Sequence, residues 1–148
     1  MQQFTKTNDG GDSWQSYNID IGDLNLGVSM IHAYDDQTAW LVAYPRGANQ
    51  IGGIFKTIDG GENWVRQDSA LYNTSSSFAN VVYFWDENTG FAQGDPINGE
   101  FELYVTENGG ENWVQVPGSN IPNPLGGEYG YTRQIEINGN NVWYTTNK

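Results

Sequence analysis

Three copies of one short pattern constrain this chain more than anything else in it. Thr7-Asn8-Asp9-Gly10-Gly11-Asp12-Ser13-Trp14 returns as Thr57-Ile58-Asp59-Gly60-Gly61-Glu62-Asn63-Trp64 and again as Thr106-Glu107-Asn108-Gly109-Gly110-Glu111-Asn112-Trp113. The three tryptophans lie 50 and 49 residues apart. A fixed period of this length marks a repeat architecture, in which each unit buries its apolar face against the next. A second element recurs between the boxes: residues 30–40 align without gaps on 81–91 and more weakly on 135–143, and Pro45 corresponds to Pro96.

Each period reads as four short strands. Residues 29–34 alternate and are β-rich, 35–38 form a turn, and 39–43 return. Residues 53–57 form a third strand, and the box turns the chain into a fourth at 64–67. Such hairpins need Gly-bearing turns. No segment sustains an apolar period of about 3.6, so essentially no helix is expected. Within the box, Asp9 or Asp59 is placed to accept hydrogen bonds from backbone N–H groups of its own turn, and the Gly pair (Gly11, Gly61 and Gly110 at its second place) permits positive φ. The hydroxyl of Thr7, Thr57 or Thr106 closes the loop from the other side. Asn108 keeps the acceptor oxygen without the charge. Trp14, Trp64 and Trp113 open the next strand and are expected to pack between neighbouring sheets. Trp40, Phe91 and Trp143 share one repeated strand position and are expected there too. His32, aligned with Tyr83, reads as a half-buried packing residue.

Composition removes several function classes. Asp and Glu number 18 against 6 Lys and Arg, a net charge of −12. Nucleic acid is excluded as a partner because phosphate contacts need clustered cations, and an anionic lipid surface is excluded likewise. No apolar run approaches the ~20 residues of a membrane helix, so no membrane insertion is expected. Aromatic residues at 14% argue against disorder. The chain has no Cys and one His, which removes disulfides, thiolate metal centres, Cys nucleophiles and multi-His metal sites. Neither metal nor cofactor is expected. Met1 leads into a polar run that is no signal peptide, so either the protein stays where it is made or these residues belong to something longer.

The pattern Ser/Thr-x-Asp-x-Gly-x-x-Trp resembles the Asp-box, or bacterial neuraminidase repeat. The first two boxes match it fully and the third departs only at Asn108. With the flanking hairpins the resemblance covers essentially the whole chain. It implies a β-propeller, as in sialidases, xyloglucanase-type glycoside hydrolases, sortilin-type receptors and the photosystem II assembly factor. In that family the box lies between the third and fourth strands of a blade. The chain is also similar, around Gly94-Asp95-Pro96 and Gly99-Glu100-Phe101, to large surface proteins of Bacteroidetes-type bacteria, often exported by type IX secretion. The resemblance therefore implies a secreted or cell-surface location. The phase gives an all-β segment of about three blades: a half blade at 1–19, blades at 29–67 and 80–116, and a half blade at 134–148. Propellers close with typically about 4–8 blades. The partners expected are therefore the remaining blades of a larger propeller, or a second copy of the chain giving a six-bladed ring.

The chemistry is less legible. Asp9 and Asp59 are read as turn formers and Asp12, Glu62 and Glu111 as solvated acids. A sialidase needs an arginine cluster with a Tyr–Glu pair and an acid Asp, and Arg46, Arg66 and Arg133 lack its sequence context. A xyloglucanase-type hydrolase needs two carboxylates across a cleft, for which Asp95 and Glu100 are the candidates, with Asp23 and Glu128 behind them. Tyr44, Tyr72, Tyr129 and Tyr131 fall in loop-like segments and are candidates for a glycan or protein contact. Residues 118–130, the longest irregular stretch, read as a crossover packed over the ring or as a binding loop. A non-catalytic binding or structural module is the favoured function, with a glycoside hydrolase fragment as the alternative. An intracellular assembly factor would need a basic partner-binding patch, which this acidic chain does not show.

Overall fold

The structure is a computed structural model that describes residues 2–23, 25–69 and 72–148. The first residue of the 1–19 segment lies outside the described residues. The architecture is all-β. Strands β1 (Gln2–Lys6) and β2 (Gln15–Ile19) form a hairpin. Strands β3 (Gly27–Ala33), β4 (Ala39–Tyr44), β5 (Gly53–Thr57) and β6 (Val65–Arg66) form one four-stranded sheet in chain order. Strands β7 (Ala79–Phe84), β8 (Gly90–Ile97), β9 (Glu100–Thr106) and β10 (Val114–Gln115) form a second. A last hairpin pairs β11 (Gly130–Asn138) with β12 (Asn141–Thr146). All these pairs are antiparallel, and among the described residues the only helical element is a 3₁₀ turn at Gly118–Asn120. The grouping of two, four, four and two strands follows the phase of the repeat.

Strand alternation explains how the sheets stack. On β4, Leu41 and Ala43 face the β1–β2 hairpin in a core with Ile19, Leu26, Phe55 and Trp64. Trp40 and Val42 face the opposite way, into a core with Ile54, Val82, Phe84, Tyr104 and Trp113. Each four-stranded sheet is thus a slab whose two faces meet different neighbours. The first strands also converge: β3 touches β7, and β11 touches both. The Ser29 hydroxyl donates to the Ala79 carbonyl at 2.5 Å, and Arg133 Nε donates to the Ser29 carbonyl at 2.7 Å.

Four side-chain donors stitch sheets to the turns of the next sheet or hairpin. Trp40, fully buried, stacks on Phe84 at 3.5 Å and donates Nε1–H to the Gly109 carbonyl at 3.2 Å. Lys56 Nζ donates to the same carbonyl at 3.1 Å and lies 5.0 Å from the Trp40 ring centre. One sheet earlier, Lys6 Nζ donates to the Asp36 carbonyl at 3.2 Å and the Gly60 carbonyl at 3.4 Å. Trp85 Nε1 donates to the Gly139 carbonyl at 2.8 Å, which fastens the last hairpin.

Two expectations about the core need correction. Trp14 is 61% exposed and Trp143 is 57% exposed, although both occupy positions whose repeats are buried. The cause is their place at the ends of the stack. Trp64 and Trp113 are covered by the preceding sheet, and Trp40 by the following one; among the described residues no neighbouring sheet covers Trp14 or Trp143. Trp40→Ala should therefore lower stability by about 3–5 kcal/mol, the range for emptying a packed aromatic site. Trp14→Ala should change it by about 1 kcal/mol or less. Urea unfolding followed by circular dichroism separates the two.

Candidate functional site

The carboxylates of the repeated boxes are occupied by donors of their own turns. In the first box the Thr7 hydroxyl donates to Asp9 Oδ1 at 2.7 Å and accepts from the Gly11 N–H at 2.9 Å. Asp9 also accepts from the Ser13 N–H at 2.9 Å and the Ser13 hydroxyl at 2.5 Å. The second box repeats this with Thr57, Asp59, Gly61 and Asn63 at 2.7, 2.9, 2.9 and 2.8 Å. The third keeps three of the bonds through Asn108, with Thr106 donating to Oδ1 at 3.1 Å and accepting from the Gly110 N–H at 3.0 Å, and Asn112 N–H donating at 2.9 Å. These donors stabilise the ionised form. Hydrogen bonds from Ser13 and Thr7 hold Asp9 well below the ordinary range, and those from Asn63 and Thr57 hold Asp59 at about 2. The carboxylate oxygens face inward to the turn, which suits a structural role.

The six residues expected to bind or react are not brought together. Asp95, on β8, is half-buried and accepts from Asn80 Nδ2 at 2.7 Å and from the Gly130 N–H at 2.9 Å, so it fastens β11 to the β7–β8 pair. Burial raises its pKa and those two bonds pull it back. Glu100 is exposed beside the Asn98–Gly99 turn and lines a hollow to which Asp95 does not contribute. Tyr44 lies half-buried over Gly27 and stacks on Phe78 at 4.1 Å. Tyr72 corrects the sequence reading outright: it is fully buried, donates its hydroxyl to the Glu102 carbonyl at 3.0 Å, and meets the Tyr104 ring edge-on at 5.0 Å. Only Tyr129 and Tyr131 form an exposed aromatic pair, edge-to-face at 5.8 Å. Asp23 holds Gln50, and Glu128 accepts from the Leu125 N–H at 2.7 Å and the Thr146 hydroxyl at 2.6 Å.

Sequence reasoning missed the group with the most unusual environment. Glu102, on β9, is 5% exposed, and its Oε2 has no hydrogen-bond partner. Burial pushes its carboxyl up to about 7, against the pull of the Ser77 and Tyr104 hydroxyls and with help from the charge on Asp95. It lies at the wall of a hollow of about 310 Å³ with Asn73, Thr74, Glu100, Tyr104 and Gln115. The buried oxygens of Asn80 and Gln93 nearby are also unpartnered. A signal existed in the repeat. Glu102 falls 49 residues after Gly53, and in the earlier sheet Gly53 is covered by the Arg66 guanidinium, which donates to the Gly52 carbonyl at 3.2 Å. The later sheet has an acid in place of the glycine and Gln115 in place of the arginine. His32 packs as expected on the Tyr83 ring at 4.5 Å, where burial lowers its pKa.

No protein-family model, no curated protein and no solved structure matches the chain.

Two outcomes follow from these environments. Thr57→Val leaves the buried Gly61 N–H without an acceptor and should cost about 1–3 kcal/mol of unfolding free energy. The buried Glu102 is more readily protonated in the folded chain than in the unfolded one, so its contribution is unfavourable wherever it must ionise. That penalty is absent below about pH 4.5, grows as the pH rises, and is complete above about 7. Glu102→Gln should therefore match the parent near pH 4 and exceed it by about 1–2 kcal/mol at pH 8, as measured by urea midpoints across pH.

Proposed function

We propose that this chain is a segment of an Asp-box β-propeller, secreted or displayed at a cell surface, that works as a non-catalytic binding or structural module. The support for the propeller is the repeated box between the third and fourth strands of each unit, the in-order antiparallel sheets, and the contact of the three first strands with one another. The observation that carries the non-catalytic reading is that the box carboxylates and Asp95 are all engaged by donors of the protein itself. They hold the scaffold and are spent doing so. The exposed Tyr129–Tyr131 pair offers rings for stacking on a sugar face or on an apolar side chain of a surface protein. On this reading the missing sheets come from the rest of a larger propeller or from a second copy. Tyr129→Ala with Tyr131→Ala should reduce capture on a glycan array or by a surface-protein ligand at least tenfold and leave the thermal midpoint nearly unchanged. Undiminished capture by the double variant would remove these residues from the site.

One observation favours the alternative, a glycoside hydrolase fragment. Burial raises the Glu102 carboxyl to about 7, Glu100 lines the same hollow, and glycoside hydrolysis uses one protonated and one ionised carboxyl. Hydrolysis of xyloglucan oligosaccharides that disappears in both Glu102→Gln and Glu100→Gln would establish that reading. No turnover across xyloglucan and sialoside substrates would leave the binding module.

A further inference from the structure

The two four-stranded sheets carry opposite charges at one equivalent place. In the first sheet Gly53 on β5 leaves a strand position without a side chain, and the guanidinium of Arg66 on β6 lies over it. That guanidinium donates to the Gly52 carbonyl at 3.2 Å, to the Tyr72 carbonyl at 3.4 Å and to the Asp68 carboxylate at 2.8 Å. In the second sheet, 49 residues on, Glu102 stands for Gly53, Gln115 for Arg66 and Pro117 for Asp68. The registers agree, because Arg66 opposes Phe55 just as Gln115 opposes Tyr104. The guanidinium is gone, and a carboxyl has entered beneath its place. A second carboxylate is kept: that of Glu100 lies against Gly118, one residue past the counterpart of Asp68.

The place is open. A hollow of about 310 Å³ has exposed Asn73, Thr74, Glu100 and Gln115 at its rim and buried Glu102 and Tyr104 at its floor. That is larger than the ~150 Å³ cavity that admits benzene. It lies on the face where the second sheet meets the first, since Tyr104 shares a core with Ile54 of β5. Two carboxyls and the amide oxygens of Asn73, Asn98 and Gln115 line it, and among the described residues no Lys, Arg or His does. Glu102 is 5% exposed, and its Oε2 has no hydrogen-bond partner. A buried carboxyl without a partner is costly, and a positively charged donor relieves that cost most. Among the described residues no group of three acids or imidazoles could hold a metal ion.

We propose that this hollow binds a guanidinium group from outside the chain, seated against Glu102 and Glu100 where Arg66 lies in the preceding sheet, with the Gln115 amide oxygen accepting a further hydrogen bond. A planar fork of five donors suits acceptors spread on several sides better than a compact ammonium does. The site needs neither a closed propeller nor the Tyr129–Tyr131 contact.

The test titrates the intact chain with methylguanidinium at low ionic strength and about pH 8, followed by ¹⁵N spectroscopy. Saturable shifts of the Glu102 amide and the Gln115 side-chain amide are expected, with Kd of roughly 1–10 mM for so small a probe. Glu102→Gln keeps the shape and should weaken binding at least tenfold. Gln115→Arg should supply the guanidinium from the chain itself. It should abolish those shifts and raise the thermal midpoint by about 2–4 °C, and the rise should be absent on the Glu102→Gln background. A blocked Gly-Arg-Gly peptide that binds more tightly than methylguanidinium would assign the group to an arginine of a polypeptide. Equal affinities would assign it to a small guanidinium compound, and either result upholds the site. No saturable shift, undiminished binding by Glu102→Gln, equal midpoint changes for Gln115→Arg in the two backgrounds, or methylammonium or Ca²⁺ binding as tightly as methylguanidinium would each overturn the proposal.

Discussion

The stack depends on a backbone carbonyl in the second and third Gly-Gly turns, Gly60 and Gly109, that accepts hydrogen bonds from the strands before it. At Gly109 an indole and an ammonium share that oxygen, and both are held by the preceding sheet. A buried carbonyl without partners would carry a desolvation penalty, so the turn and its neighbour are energetically one object. The box then has a reason for each residue. The Thr hydroxyl and the Asp or Asn oxygen fix the turn so that its carbonyl looks backward. The second glycine is needed twice over. Gly61 has φ +97°, and a Cβ there would stand 2.3 Å from the Phe4 ring. Any side chain would both strain the turn and push the previous sheet away.

The same view reassigns the negative charge. Asp9 and Asp59 serve the box, while Asp35 and Asp86 accept from backbone N–H groups of the β3–β4 and β7–β8 turns. Those four acids are bonded in the form they carry at neutral pH and help the fold. Only one ion pair, Arg66 with Asp68 at 2.8 Å, occurs among the described residues. Glu102 is different in kind. It sits in a strand with an unpartnered oxygen, at the position that Gly53 holds in the preceding sheet and Gln3 in the first hairpin. An ionisable group in that setting opposes stability at neutral pH, which is a common feature of functional positions.

The periodic part of the structure was legible and the aperiodic part was not. The boxes at residues 7–14, 57–64 and 106–113 located three turns, and the gapless match of 30–40 with 81–91 located two hairpins. Strand bounds moved by a few residues, as at β11, which starts at Gly130 rather than 134. Burial failed where period and environment part company. Trp14 and Trp143 have the identities of core residues without the neighbouring sheet that would make them core. Tyr72 lies in a connection that does not repeat, and it is buried because Gly94 leaves space for its ring; a Cβ on Gly94 would lie 2.6 Å from it. Glu102 was hidden because an acid within a strand carries no turn signal, and its place beside Tyr104 on one face of β9 buries it.

The stacking account is tested most directly by exchange of the six indole N–H protons, resolved by ¹⁵N spectroscopy after transfer to D₂O. The Trp40 proton, buried and bonded to the turn of the next sheet, should persist at least a hundredfold longer than that of exposed Trp14, and substitutions at Phe84 should shorten its lifetime. Exchange of Trp40 as rapid as that of Trp14 in the folded chain would mean that the sheets do not hold one another through this turn.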